Sequence, residues 1–189
     1  NEFHFKVFSV FKMKQAWQSE SGSRILAFFC RNAGKAYYAK EIANATGLST
    51  GATHQACLKL SVEKYLNRVK RGKEFFYSFN YSHAPARSYK VFVTLLDFQP
   101  VLDKLAPLSK RVILYGSAAV GLDGFQSDVD VLVESDNSVV EKVVRGAMDR
   151  NNHYSIKLKT TSELMDLKKK DASFYENAIL RGLKIYENI

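Results

Sequence analysis

Two cysteines in 189 residues, Cys30 and Cys57, are too few for a disulfide framework. Both lie in stretches with helical periodicity, where the expected reading is a buried free thiol in a reducing compartment. His4, His54, His83 and His153 are scattered and form no metal-ligand spacing. No apolar run approaches the ~18 residues that cross a bilayer, so no membrane partner is expected. The opening residues mix Phe, His and Lys instead of building an apolar signal core, and a cytoplasmic location is the expectation. Proline is scarce too, and Pro85, Pro100 and Pro107 all fall in one short window.

Acidic residues are scarce in one half. Residues 1–110 hold 17 Lys and Arg against 7 Asp and Glu, whereas residues 111–189 hold 11 against 12. The whole excess behind the formal net charge of +9 therefore lies in the N-terminal half. A basic module joined to a near-neutral one is the footprint of nucleic-acid binding confined to the first. An apolar content of 46% is enough for two small cores.

Residues 1–19 are crowded with Phe3, Phe5, Phe8, Phe11 and Trp17, whose spacing suits a strand or a helix equally. So many aromatics on a short segment suggest a surface that packs on this chain or on a second copy, and a homodimer is the expectation. From there the pattern predicts helices over Arg24–Arg31, Tyr38–Thr46 and Ser49 to about Ser61. Gly47 stops the second helix, Ser49 caps the third, and Thr53, Cys57 and Leu60 form the third's inward stripe. Strands Leu66–Lys70 and Glu74–Phe79 then flank a basic Arg71-Gly72-Lys73 turn.

Lys40-Glu41-Ile42-Ala43, Gly47-Leu48-Ser49, Lys59-Leu60 and the Arg71-Gly72-Lys73 hairpin together resemble the winged helix-turn-helix family over residues 20–81. That resemblance implies double-stranded DNA as partner, with the third helix entering the major groove by its N-terminal residues. Ser49, Thr50, Gly51, His54, Gln55 and Lys59 would face the DNA, and Lys70, Arg71 and Lys73 would set the wing on phosphates. The base-facing positions Thr50, His54 and Gln55 carry no positive charge, so affinity is expected mainly from phosphate contacts.

The three prolines mark a connector, residues 82–108, between a first domain of residues 1–81 and a second of residues 109–189. Its stripe of Val91, Leu95 and Phe98 continues through Leu102 and Leu105. Pro100 is expected to kink or restart that helix.

In the second half, Val112–Tyr115 reads as a buried strand, followed by a Gly116-Ser117 turn, one short helix and the strand Asp128-Val129-Asp130-Val131-Leu132-Val133. Alternation places Asp128 and Asp130 on one face and Val129 and Val131 in the core. Two adjacent carboxylates repel unless a cation sits between them. A hard divalent ion held by one or two carboxylates plus phosphate oxygens suits the pair. Glycine lets backbone approach a ligand closely, and a helix start would offer N–H groups to phosphate. Gly116-Ser117, nine further residues, then Ser127-Asp128-Val129-Asp130 resemble the nucleotidyltransferases of the DNA polymerase beta superfamily. This implies an α/β or α+β domain, a mixed sheet flanked by helices, with Mg²⁺ or Mn²⁺ as cofactor and a nucleoside triphosphate as substrate or ligand. Asp128 and Asp130 would be the catalytic metal ligands, and Gly116, Ser117, Ser127 and Lys157 would bind the nucleotide.

A third strand, Tyr154–Lys159, is where that family places a further carboxylate, and here Ser155, Lys157 and Lys159 share the outer face. Glu134 and Glu163 are the stand-ins, neither in the expected place. Two readings follow. One is transfer of a nucleotide to a hydroxyl acceptor. The other is a DNA-binding transcriptional regulator whose degenerate second domain senses nucleotide without turnover.

Overall fold

The computed structural model describes residues 15–150 and 153–188. Phe3, Phe5, Phe8 and Phe11 lie outside them. The chain forms two compact units, residues 1–86 and 87–189.

In the first unit, a single 3-10 turn at Ala16–Gln18 leads into α1 (Glu20–Arg31). Ser19 Oγ caps α1 by accepting the Gly22 N–H. Its Ile25, Leu26, Phe29 and Cys30 are buried, facing the helices α2 (Ala39–Thr46) and α3 (Thr50–Val62). Gly47 ends α2 at φ +69°, and Ser49 Oγ caps α3 by accepting the Ala52 N–H. Strands β2 (Leu66–Arg71) and β3 (Glu74–Phe79) form the hairpin about Gly72. The sequence pattern places Tyr38 in a helix, but the structure has a third strand, β1 (Ala36–Tyr38), giving sheet order β1-β3-β2. Tyr37 and Tyr38 stand opposite Tyr77 and Phe76, and aromatic cross-strand pairing outweighs the local helix preference. Helix, strand, two helices and a hairpin are a winged helix-turn-helix.

The second unit is a mixed sheet flanked by helices. Helix α4 (Ala84–Leu105) runs through Pro100 without the expected break. Pro100 and Leu96 are both exposed, so water reaches the carbonyl that the missing proline N–H leaves bare. Four strands follow in the order β6-β5-β4-β7: β4 (Arg111–Tyr115), β5 (Val129–Glu134), β6 (Tyr154–Lys159) and β7 (Leu183–Glu187). β4 is antiparallel to β5 and β7, while β5 and β6 run parallel through the crossover helix α5 (Val139–Arg150). One sheet face packs Val112, Leu114, Val131, Val133 and Ile156 against Phe98 and Leu105 of α4 and Val140, Val144 and Ala147 of α5. The other face is also covered, a feature the strand alternation did not suggest. There Ile113, Tyr115 and Leu132 pack with Leu164 of α6 (Thr161–Lys170) and with Ala178. Ala178 belongs to a π-helical turn (Glu176–Leu180) that extends α7 (Ala172–Tyr175).

Candidate functional site

β4 delivers Tyr115 and then Gly116 to the edge of this second core. Gly116 adopts φ +71°, and a Cβ there would lie 2.8 Å from Asp130 Oδ2. Glycine is required twice over, for the left-handed backbone and for the carboxylate pressed against it. Asp130 is the cross-strand partner of Tyr115 and is half-buried. Burial, reinforced by the Asp130 charge, pushes the Tyr115 hydroxyl up to about 12. Asp128 precedes β5 and is exposed.

The short helix expected after Gly116-Ser117 is a 3-10 turn of three residues, Ala118–Val120. Gly121, at φ +69°, stops it, and a Cβ on Gly121 would collide with the Arg87 carbonyl oxygen. No helix start is available to a phosphate here. Ser117 is half-buried, and its carbonyl accepts the Val120 and Leu122 N–H groups at 3.3 and 2.9 Å. Ser127 Oγ accepts the Gly124 N–H at 2.8 Å, closing the turn that leads to Asp128.

Parallel pairing of β5 with β6 places Ser155 beside Asp130, Lys157 beside Leu132 and Lys159 beside Glu134. The Lys157 ammonium lies 4.4 Å from the centroid of the Phe174 ring, a cation–π contact. Among the described residues no cluster of three His, Cys, Asp or Glu side chains could hold a metal. Both stand-in acids are engaged elsewhere. Glu134 accepts from Arg111 Nε at 2.7 Å and from Thr161 Oγ1 at 3.0 Å. Glu163 accepts the Thr160 N–H at 2.8 Å, which holds its carboxyl below the usual range. Asp128 and Asp130 are carboxylates of the kind a hard divalent ion takes together with phosphate oxygens, and among the described residues no third acidic side chain joins them.

A cavity of about 620 Å³ opens at the Gly-Ser turn, lined by Tyr115, Gly116, Ser117, Phe174, Asn177 and Arg181 among others. Phe174 meets Tyr115 edge-on, with centroids 5.5 Å apart. Phe174, Asn177 and Arg181 escaped the sequence reading. They lie 44 to 51 residues beyond Asp130, in a stretch with no motif of its own, and the pairing of β7 with β4 brings them back.

In the first unit, Ser49, Thr50, Gly51, His54, Gln55 and Lys59 are exposed, while Thr53, Ala56, Cys57 and Leu60 of the same α3 are buried. Burial pushes the Cys57 thiol up to about 12, leaving it inert. Lys70, Arg71 and Lys73 are exposed on the wing, with the Arg71 guanidinium 5.0 Å from the Phe76 centroid. Arg68, which sequence reasoning passed over, stacks on Phe75 at 3.6 Å, and its place in β2 beside the basic turn was the available signal.

A mixed sheet carrying Gly-Ser on one strand end and Asp-x-Asp at the start of the next, joined to a winged helix, defines the class: a winged helix-turn-helix fused to a nucleotidyltransferase-type domain. Residues 98–185 match the family model described as a nucleotidyltransferase domain, and the second unit carries a domain of that family. Among solved structures, the chain is similar to reduced HlyU from Vibrio cholerae (19% identity, TM-score 0.36), with 52% of this chain covering 92% of that one. It is also similar to the adhesin competence repressor AdcR from Streptococcus pyogenes (16% identity, TM-score 0.35), with 57% covering 80%. These likenesses are too slight to add to the topology. No protein of curated function matches the chain. Among the described residues, no helix is long and apolar enough to cross a membrane.

Proposed function

We propose that the second unit binds a nucleoside triphosphate through one divalent ion, Mg²⁺ or Mn²⁺, held by Asp128 and Asp130, and that the first unit binds double-stranded DNA. The observation that carries the nucleotide reading is the Asp130 carboxylate seated against Gly116, next to the cavity that Ser117 lines. The bound ion would supply charge neutralisation between the carboxylates and the phosphate oxygens. The Ser117 hydroxyl, on the cavity that Gly116 also lines, holds the phosphates, and Lys157, released from Phe174, meets their terminal end. The reaction such a site supports is attack of a hydroxyl on the α-phosphorus, with pyrophosphate leaving. The two engaged glutamates and the lysines of β6 favour a second reading, a regulator that senses nucleotide without turnover.

The DNA reading is supported by the basic first half, the exposed N-terminal face of α3 and the cationic wing. The reading includes a homodimer through the aromatic N-terminal stretch, which a single 21.4 kDa species by light scattering at all concentrations would remove. It also includes a cytoplasmic setting that keeps Cys30 and Cys57 reduced.

Titration calorimetry of ATP with and without Mg²⁺ tests the metal site. Binding is expected with Mg²⁺ alone and is expected to vanish in Asp128→Asn with Asp130→Asn. Equal affinity in both conditions overturns the reading. Label from α-³²P ATP reaching an acceptor identifies the transferase, and metal-dependent binding without transfer identifies the sensor.

A further inference from the structure

Lys90 on α4 and Asp123 form an ion pair sealed from water, Nζ to Oδ2 at 2.6 Å, with 4% and 8% of the two side chains exposed. Burying opposite charges costs desolvation that their attraction offsets only in close geometry, and apolar replacements of similar volume are often neutral or stabilising. Stability is therefore a weak reason for such a pair. Its position supplies a stronger one.

Asp123 lies in the segment that joins Ser117 to Asp128, the two ends of the proposed nucleotide site. The segment is pinned near Ser117 by the Leu122 N–H to Ser117 carbonyl bond, and near Asp128 by the Gly124–Ser127 turn and the Val129 N–H to His153 carbonyl bond at 2.7 Å. Between them, Asp123 fastens the segment sideways to α4. Gly121 marks the same contact, since the Arg87 carbonyl fills the space a Cβ would take. Asp128 stands five residues beyond that anchor, exposed and outside β5. A carboxylate in that setting loses its aim if the segment behind it is released, because each freed residue must be ordered again on binding.

We propose that Lys90 and Asp123 are positioning residues for the metal site. Their buried pair locks the 118–128 segment on α4, so that Asp128 meets the same ion as Asp130 beside Ser117. The inference rests on the reading of Asp128 and Asp130 as metal ligands. Neither Lys90 nor Asp123 lines the cavity at the Gly-Ser turn, so their effect on Mg²⁺–ATP affinity runs through the segment they hold.

The test is the full chain carrying Lys90→Met with Asp123→Leu, compared with wild type and with Asp128→Asn plus Asp130→Asn. Thermal melting and calorimetry of ATP with and without Mg²⁺ are the measurements. A merely structural pair would change Tm and leave the affinity of the folded chain alone. The expected result is the reverse: a melting temperature equal to or above wild type, and Mg²⁺–ATP affinity at least tenfold weaker. If the apolar pair does not fold, Asp123→Asn serves instead. Measured well below its own melting temperature, it is expected to show the same selective loss. Wild-type Mg²⁺–ATP affinity in either folded variant overturns the proposal alone. A wild-type chain that binds ATP equally with and without Mg²⁺ overturns the metal-site reading and this proposal with it.

Discussion

Replacing Gly116 with alanine separates backbone strain from site geometry. At φ +71° an alanine incurs the left-handed penalty, about 1–2 kcal/mol. Its Cβ would also stand 2.8 Å from Asp130 Oδ2, closer than unbonded atoms approach. That oxygen is the far end of a side chain, so the carboxylate swings aside instead of the sheet breaking, at roughly 0.5–1.5 kcal/mol for leaving its rotamer. The sum is about 1.5–3.5 kcal/mol, which in a unit of this size lowers Tm by roughly 6–28 °C. The displaced carboxylate is a proposed metal ligand, so Mg²⁺–ATP affinity should fall by a further factor of about ten or more, equivalent to ~1.4 kcal/mol. Gly47→Ala is the control: it has φ +69° and nothing within 4 Å of its Cβ, so it carries the backbone penalty alone. Differential scanning calorimetry gives the first number and isothermal titration the second. A Gly116→Ala chain that melts lower yet binds Mg²⁺–ATP as tightly as wild type would refute the placing of Asp130 in the metal site.

Changing Lys70, Arg71 and Lys73 together to alanine should weaken duplex binding and flatten its salt dependence by about one unit for each phosphate no longer neutralised, and an unchanged slope removes the wing from the interface. Lys157→Asp rebuilds a carboxylate on the β6 face and removes the cation over Phe174. Metal affinity should rise and nucleotide transfer should appear or increase in a labelled-nucleotide assay, whereas no change in either means that position 157 does not face the pair. Tyr115 should show in alkaline melts. Its hydroxyl ionises near 10 when unfolded and near 12 in the fold, so the unfolded chain loses its proton first and stability declines between those values. Tyr115→Phe should decline less steeply than wild type from pH 10 to 12, and parallel curves would refute the burial argument.

Residue pattern alone reached the division into a basic and a neutral half, the inward stripe of α3, the hairpin with its cationic turn, and a family resemblance that the match over residues 98–185 bears out. All of these are local: charge adds along the chain, and strand or helix periodicity shows within a few residues. The rest depended on partners distant in sequence. Tyr37 and Tyr38 became a strand because Tyr77 and Phe76 lie opposite. Pro100 stayed inside α4 because that side of the helix is wet. The helix after Ser117 shrank to one turn because Gly121 lies on the Arg87 carbonyl. Leu164 and Ala178 covered a sheet face that alternation alone leaves open. The cavity wall of Phe174, Asn177 and Arg181 arrived through the pairing of β7 with β4, and Lys90 met Asp123 across 33 residues of chain. Periodicity tells which side of an element is apolar, but which element covers it is settled by tertiary packing, and the second decision shapes this site.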